Sequence, residues 1–346
     1  MRRAWIVLIM IPLFVISGNA VSYSAPTVPN SGSRYMPDET ESFGEGVLYI
    51  VKTAIEEMYP AFSETISTCA SCVAIALLTS VVDNISQDTR PAIHLAGICV
   101  AALCLLRPAQ SMIRLGTNTI LEVSQYGKLL LPVMTGALVA QGAVSKSGVL
   151  YTATAFFDTI LSSGISNYLT PLVYVFLCLS IVSGIAQVPL LKQIKDGIQK
   201  GIAWGLKTIL YVFTGYISIT GVVSGSTDAA MLKATKLTIS SMVPVVGGIL
   251  SDASEAVLVS AGLVKNAVGV YGLLAIIAIG IGPFLRIAIQ YFLLKFTAGV
   301  SDTFGVKPIS DVIQDYSHAM GLVLGMLGTV CIIQLISTIC FLRGVS

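Results

Sequence analysis

Long apolar runs recur along most of the chain and are separated by short polar segments. A helical membrane span needs about 20 mainly apolar residues, and these runs lack the strict alternation of a membrane β-barrel. The pattern therefore predicts an all-α polytopic membrane protein with about six to eight transmembrane helices. After the first run, the candidate segments are 66–82, 92–106, 129–144, 168–188, 205–223, 241–262, 268–294 and 319–342.

The composition excludes a soluble enzyme. Hydrophobic residues make up 55% of the 346 residues and charged residues 11%, and the mean hydropathy is +0.85. A soluble globular protein usually carries about 25% charged residues, so this chain has too few to cover a water-facing surface. The lipid bilayer is therefore its expected environment. The net charge of +2 is too small to indicate a nucleic-acid partner, and none is expected.

The first residues predict an export signal. Arg2 and Arg3 precede an apolar run at 5–16, and the small residues at 18–20 resemble a cleavage site. Residues 1–25 are therefore expected to be a signal peptide or a signal anchor.

The next segment predicts an extracytoplasmic region. Residues 26–65 are first rich in Pro, Ser and Gly and then acidic, which is typical of a partly disordered segment. An amphipathic helix is expected at about 46–59 within it. Residues 66–346 would form the polytopic helical membrane domain.

Self-comparison predicts an internal repeat. Residues 131–138 recur as 243–250, with proline second and glycine sixth in both. The predicted copies are 92–203 and 204–316, followed by a final helix at 319–342. Chance similarity between apolar stretches is the alternative. A more polar match supports the repeat: Lys192, Asp196 and Gln199 correspond to Lys307, Asp311 and Gln314.

Charge gives the predicted repeat an orientation. The loop between the copies is rich in lysine, and its counterpart is mainly acidic. By the positive-inside rule the first loop would be cytoplasmic and the second external, which predicts an inverted-topology repeat. Arg107, Arg114 and Lys128 would then be cytoplasmic. Two full spans before Arg107 conflict with that placement, so either one of them is re-entrant or the orientation is wrong. The charges compared are Lys192, Lys195, Lys200, Lys207 and Asp196 against Lys307, Asp302, Asp311 and Asp315.

A broken helix is predicted in the second copy. Proline removes a backbone donor and glycine tolerates irregular dihedral angles, so a helix should stop near 243–248. Asp252 and Glu255 have capping-box spacing and predict a restart at Asp252, and the restarted helix is expected to end at Lys265 and Asn266. The break would lie at a pore or a packing core, or it is a short polar loop between two ordinary spans. The candidate residues are Pro244, Gly247, Gly248, Asp252, Glu255, Lys265 and Asn266, with Pro132, Gly136 and Gln141 as their repeat counterpart.

These residues resemble a known family. VPVVG at 243–247, SDASEAVL at 251–258 and LVKN at 263–266 closely resemble the stage III sporulation protein AE family. The resemblance is specific over about 205–300 and looser over 90–204.

The resemblance implies a multi-pass protein of the cell membrane, in the mother-cell-derived membrane around the forespore. It would be a structural or pore-forming subunit of the mother-cell/forespore channel or specialised secretion complex that endospore development requires. The implied partners are other membrane and intermembrane-space proteins of that complex, including a cytoplasmic secretion-type ATPase and ring-forming subunits. The resemblance implies no enzymatic activity.

A stand-alone transporter is the alternative function. Inverted repeats with broken helices are typical of secondary transporters, whose sites lie at the breaks. A transporter or permease of this kind would use Asp252 and Glu255. Other polar candidates within or beside the apolar runs are Lys207, Arg286, Gln290, Gln334 and Asp158.

Catalysis is not expected. The chain contains no His-Glu-x-x-His, no Gly-x-Ser-x-Gly and no phosphate-binding loop, so no enzymatic activity, cofactor or metal is predicted. Cys69 and Cys72 form a CxxC pair in an apolar run, where cysteine usually acts as a small hydrophobic residue. Redox or metal use of that pair is the alternative.

Overall fold

The computed structural model describes residues 25–37, 42–85, 90–141, 143–242 and 247–342, with side chains outside 84, 146 and 219–265. These ranges contain helices and short connections and no strand, which confirms the all-α prediction. The helices are α1 (Asn30–Ser33), α2 (Phe43–Glu56), α3 (Tyr59–Ile85), α4 (Arg90–Ala140), α5 (Val144–Gly164), α6 (Thr170–Ala186), α7 (Pro189–Met242), α8 (Gly247–Asp302) and α9 (Lys307–Leu342). A π-helical turn at Ile165–Leu169 joins α5 to α6.

The described residues include five helical stretches that are long and apolar enough to cross a membrane. This confirms a polytopic membrane protein. The stretches are Tyr59–Asp83, Arg90–Ala140, Ser147–Ala186, Asn266–Asp302 and Lys307–Leu342.

Two of the predicted segments belong to one helix. Residues 92–106 and most of 129–144 lie in α4, and the polar residues between them are helical as well. Pro108 and Pro132 lie inside α4 without ending it. Each proline removes one backbone hydrogen bond, and packing along the rest of the helix compensates for that loss. Arg107 and Lys128 are therefore separated by about 31 Å along one helix and do not share a membrane face as predicted.

α9 forms the centre of the bundle. It packs against α8, α4, α6, α5 and α7. Its apolar residues recur every three or four positions, as a core-facing helix requires, and they lie fully buried. Examples are Tyr316, Met320, Val323, Leu327 and Ile333.

α4, α7 and α9 begin at the same end of the bundle. Gly97 of α4 lies beside Ile309, and Gly127 lies beside Gln334, so α4 and α9 run parallel. α6 ends near the start of α9, because Gly184 contacts Val312. We call this end the Lys307 end, and the opposite one the Leu342 end.

The N-terminal segment packs on α8. Gly32 lies against Ile279 and Tyr35 against Gly282, and the Ser31 hydroxyl donates a hydrogen bond to the carboxylate of Glu122. Residues 25–37 belong to the segment predicted to be partly disordered, so this packing is a contact that the sequence did not predict.

The predicted amphipathic helix is present as α2. It begins one residue after Ser42, whose hydroxyl accepts a hydrogen bond from the Glu45 backbone N–H at 3.3 Å. This is an N-cap, which satisfies one of the free donors of the first turn. The helix lies against α8, with Gly46 beside Leu274.

The predicted helix break lies partly outside the described residues, which omit 243–246 and hence Pro244. α8 begins at Gly247, five residues before the predicted restart at Asp252. It continues without interruption past Lys265 and Asn266, where the sequence predicted its end. Asp252 and Glu255 are therefore inside a helix rather than at its N-cap and third position.

Candidate functional site

A buried ion pair lies near the Lys307 end of the bundle. The Nζ atom of Lys195 on α7 is 2.5 Å from Oδ2 of Asp315 on α9, and both residues are 6% exposed. The Ser180 hydroxyl of α6 donates a second hydrogen bond to the same carboxylate oxygen at 2.6 Å. The carboxylate therefore joins three helices.

Burial makes each of these charges depend on the other. A charge removed from water is stabilised only by a close partner and by hydrogen bonds to its remaining polar atoms. Removing one partner of a buried pair typically costs about 3–5 kcal/mol, because the other charge stays buried without compensation. Lys195 and Asp315 therefore hold α7 in a fixed position against α9.

A polar cavity of about 250 Å³ surrounds the ion pair. Its lining includes Asp311, Gln314 and His318 of α9 together with Lys192 and Asp196 of α7. The buried Nδ1 of His318 has no hydrogen-bond partner among the described residues. The cavity therefore contains further charged and polar groups next to the ion pair.

A second cavity of about 540 Å³ lies beside the first. The two share Lys192 and Asp311, and the second adds His94 and Lys307. Together they form a polar cleft of mixed charge at the Lys307 end, with enough room for water or for a polar segment of another molecule.

The cleft corrects the predicted orientation of the repeat. Lys192 and Asp196 line the same cavity as Asp311 and Gln314, their predicted counterparts. Two loops on opposite sides of a membrane cannot share a cavity, so the inverted arrangement is wrong. The duplication itself stays a prediction.

A second buried polar cluster lies toward the Leu342 end. Asp158 of α5 is 2% exposed, and its carboxylate accepts hydrogen bonds of 2.7 Å from the Ser124 hydroxyl of α4 and from Nε2 of Gln334 of α9. The Nζ atom of Lys128 lies 3.9 Å from the same carboxylate. These contacts satisfy a carboxylate that would otherwise be costly to bury.

The two clusters are separated by a distance close to a membrane thickness. Asp315 and Gln334 are nineteen residues apart on α9, which corresponds to about 28 Å. The hydrocarbon core of a bilayer is about 30 Å thick. The residues at 316–333 include no Asp, Glu, Lys or Arg. The clusters therefore bracket an uncharged stretch of α9.

The structure brings some of the predicted polar residues together. Asp158 and Gln334 form a direct hydrogen bond. Arg286 and Gln290 line a notch of about 200 Å³ between α3, α4 and α8. Lys207 is exposed on α7.

The proposed broken-helix site is described only in part. Pro132 and Gly136 lie within α4, and Gln141 follows its end and is 8% exposed. Asn266 is exposed. The backbone of α8 includes Gly247, Gly248, Asp252, Glu255 and Lys265, but the surroundings of these residues are not described. Pro244 lies outside the described residues. Contact between this set and its counterpart stays a prediction.

The sequence reasoning missed the Lys195–Asp315 pair. It used both residues as loop charges and placed them on opposite sides of the membrane. One signal was available, because Asp315 falls on the same helical face as Val312, Tyr316 and Ala319. An acidic residue on an apolar face predicts a buried partner.

Metal and redox chemistry receive no structural support in the described ranges. No group of three or more His, Cys, Asp and Glu side chains there has the arrangement of a metal site. Cys69 and Cys72 are both buried and free. They contribute to the apolar core.

Comparisons with known proteins agree with this architecture. The family model for stage III sporulation protein AE matches residues 37–344. Stage III sporulation protein AE of Bacillus subtilis (strain 168) is 25% identical over 197 residues, which are 57% of this chain and 49% of that relative. The match thus spans about half the length of the curated relative. No solved structure matches the chain. Because the family model covers most of a chain that folds as apolar helices, the protein belongs to the stage III sporulation protein AE family.

Proposed function

We propose that the protein is an integral membrane subunit of the channel or specialised secretion complex between mother cell and forespore, with a structural or conduit-forming role and no catalysis of its own. The observation that carries this proposal is the family match across 37–344, together with the five apolar helical stretches among the described residues. Endospore development would require the subunit in the mother-cell-derived membrane around the forespore.

The two buried clusters support a subunit of fixed shape. Lys195–Asp315 and Asp158–Gln334 link peripheral helices to the central α9 at two levels. We infer that these buried polar contacts specify the positions of the helices in this protein. A conduit or scaffold needs such fixed positions, because its partners dock against a defined surface.

The proposed partners are the other membrane and intermembrane-space proteins of the complex, with a cytoplasmic secretion-type ATPase and ring-forming subunits. The lysines at the start of α7 favour a cytoplasmic position for the Lys307 end by the positive-inside rule. The polar cleft at that end would then face the ATPase side. Energy for transport would come from that partner.

The stand-alone transporter is the less favoured function. Its main support was an inverted repeat, and the shared cavity at Lys192 and Asp311 removes that arrangement. The side chains of Asp252 and Glu255 lie outside the described residues, so no geometry supports a binding site there.

The test deletes the gene in the organism that carries this chain and restores it with an epitope tag. We expect the deletion to block heat-resistant spores and the tagged chain to restore them. After cross-linking in sporulating cells, the tagged chain should co-purify with the ATPase and the ring-forming subunits.

A matched pair of variants ties the test to the structure. Asp315→Asn should lower both spore yield and co-purification, whereas Asp311→Asn, which leaves the ion pair intact, should retain them. Normal spores after deletion, or restored spores without co-purified partners, would contradict the proposal.

A further inference from the structure

The exposed face of α4 changes character along the helix. Near the Lys307 end, the exposed residues that follow the exposed Arg90 at the start of α4 are apolar: Pro91, Ala92, Leu95, Ala96, Val100 and Leu103. From residue 107 onward the exposed residues are mostly polar, with Leu121 and Leu129 as the exposed apolar exceptions up to residue 129. We call the following set the polar stripe: Arg107, Gln110, Ser111, Arg114, Asn118, Gln125 and Lys128.

The spacing of the polar stripe places it on one side of α4. Its members follow one another mostly at three or four residues, which is the repeat of one helical face. The residues between them, such as Ile113, Ile120 and Val123, are buried in the core. α4 is therefore amphipathic over this length, with its polar side outward.

Two contacts fix the depth of the polar stripe. The Ser124 hydroxyl bonds to Asp158 of α5, and the Thr117 hydroxyl lies 3.2 Å from that of Thr170 at the start of α6. Residues 117–124 of α4 therefore lie at the same level as residues 158–170.

At that level the neighbouring helices α5 and α6, which pack against α4, present a surface suited to lipid. α5, the π-helical turn and α6 expose large apolar side chains, with Phe156 at 58%, Ile160 at 44% and Tyr168 at 70%. Between Ser147 and Ala186 no exposed residue is charged. If this surface faces lipid, the polar stripe also lies at membrane depth.

A charged or amide side chain that faces lipid is strongly unfavourable, so such residues line wet cavities or contact protein. Arg114 and Asn118 lie in the middle of the stripe, too far from either cluster to reach an interface easily. We therefore expect water rather than lipid beside this face of α4.

The notch beside α4 gives that water a place to enter. About 200 Å³ of space lies between Ser111 of the polar stripe, Glu64 and Thr68 of α3, and Arg286 and Gln290 of α8. Gln290 is 4% exposed, so a polar side chain from inside the bundle reaches this space.

The charges of the stripe favour anions. Neither Arg107 nor Arg114 forms an ion pair within the part of the chain that the structure describes. These two guanidinium groups outnumber the Glu122 carboxylate beside the stripe, which keeps its negative charge while it accepts a hydrogen bond from the Ser31 hydroxyl. A wet surface with free guanidinium groups concentrates negative solutes.

We propose that the polar stripe of α4 lines a water-filled path at membrane depth through which small anionic solutes pass. This inference rests on the proposed conduit role. It adds which face of the protein lines the conduit and which class of solute passes along it. The path would run beside Arg107 and Arg114 and past the notch at Ser111.

The test uses single cysteines in the full-length protein after replacement of its seven native cysteines. Gln125→Cys on the stripe is matched with Thr159→Cys on α5, because their neighbours Ser124 and Asp158 are bonded and both positions are exposed. A membrane-impermeant anionic methanethiosulfonate should modify Gln125→Cys and Asn118→Cys at least about tenfold faster than Thr159→Cys, since the reaction requires a hydrated thiolate.

A second comparison tests the charge preference. In the Asn118→Cys variant, the anionic reagent should react faster than its cationic analogue. Adding Arg114→Gln should reduce the ratio of these two reaction rates by about tenfold at low salt. Equal reactivity on the polar stripe and on α5, or a ratio that Arg114→Gln leaves unchanged, would overturn the inference.

The labelling is done in vesicles from sporulating cells and in vesicles that contain this chain alone. A stripe that is reactive alone but protected in sporulating cells would be a protein-docking surface. That result would overturn the inference of a water-filled path and would leave the proposed role as a subunit unaffected. Normal spores after deletion, or restored spores without co-purified partners, would instead contradict the proposed function and leave the labelling result to be judged by itself.

Discussion

Lys195 and Asp315 are 120 residues apart in the chain, yet their side chains meet at 2.5 Å. The contact joins the start of α7 to the third turn of α9. It also places two loops with opposite charge balance at the same end of the bundle. The pair thus ties α7 to the central helix beside their apolar packing, and the Ser180 hydroxyl of α6 bonds to the same carboxylate.

Breaking this ion pair should destabilise the protein more than removing a nearby charge. Asp315→Asn leaves the buried Lys195 without a counter-charge, at an expected cost of about 3–5 kcal/mol. Asp196→Asn, in the same cavity, should cost much less. Thermal unfolding in detergent, followed by tryptophan fluorescence, measures both. The double variant Lys195→Met with Asp315→Leu should recover most of the loss, and failure to recover it would show that the pair acts through something other than charge burial.

Removing the carboxylate of Asp158 should loosen the contact between α5, α4 and α9. Asp158→Leu leaves the amide of Gln334 and the hydroxyl of Ser124 without their acceptor, and each unsatisfied buried group costs about 1–3 kcal/mol. Asp158→Asn should cost less, because an amide oxygen still accepts one of these bonds. Protease sensitivity of the membrane-embedded protein reports the difference. Equal sensitivity of both variants would contradict the hydrogen-bonded cluster.

Close packing at Gly127 should make a larger residue unfavourable. A Cβ atom at this position would lie 2.5 Å from Nε2 of Gln334. Gly127→Ala should therefore cost about 1–3 kcal/mol through overpacking. Gly164 offers a matched helical control, because a Cβ there meets no atom within 4 Å. Gly164→Ala should be neutral or stabilising by up to about 1 kcal/mol. Similar melting temperatures for the two alanine variants would contradict the packing.

The packing of the N-terminal segment, residues 25–37, on α8 should weaken at alkaline pH. Burial raises the pKa of the Tyr35 phenol, and the neighbouring Glu57 carboxylate raises it further through a hydrogen bond and its charge. A raised pKa in the folded state means that folding favours the protonated phenol. This stability is fully present below pH about 10, the unfolded pKa, and is lost as the pH rises through the folded pKa.

Difference absorbance between the wild type and Tyr35→Phe isolates the titration of this phenol. We expect Glu57→Gln to shift that titration to lower pH, because it removes the negative charge. A titration that Glu57→Gln leaves in place would contradict the contact. Tyr35→Phe itself should reduce the loss of stability at alkaline pH.

The polytopic helical class followed from the sequence because apolar runs of membrane length are a local property. An amphipathic helix at about 46–59 was predicted for the same reason, and the structure places it at Phe43–Glu56 with Ser42 as its N-cap. The sequence predicted 92–106 and 129–144 as separate segments, whereas the structure joins them in the continuous helix α4.

The family also followed from the sequence, through the residues at 243–266, and the match over 37–344 confirms it. The side of the membrane on which each loop lies did not follow from the sequence. The positive-inside rule counts the charges of each loop separately, so Lys195 and Asp315 were treated as solvated charges. A buried pair does not act as two solvated charges, because each neutralises the other.

Local sequence was thus sufficient for the membrane class, the all-α fold class and the family. The meeting of Lys195 with Asp315 and of Asp158 with Gln334, and the choice of which face of α4 points outward, depended on how the helices pack. These partners come from residues more than a hundred positions apart. Their contacts arise from the burial of α9 by all its neighbours at once, and no segment contains that information by itself.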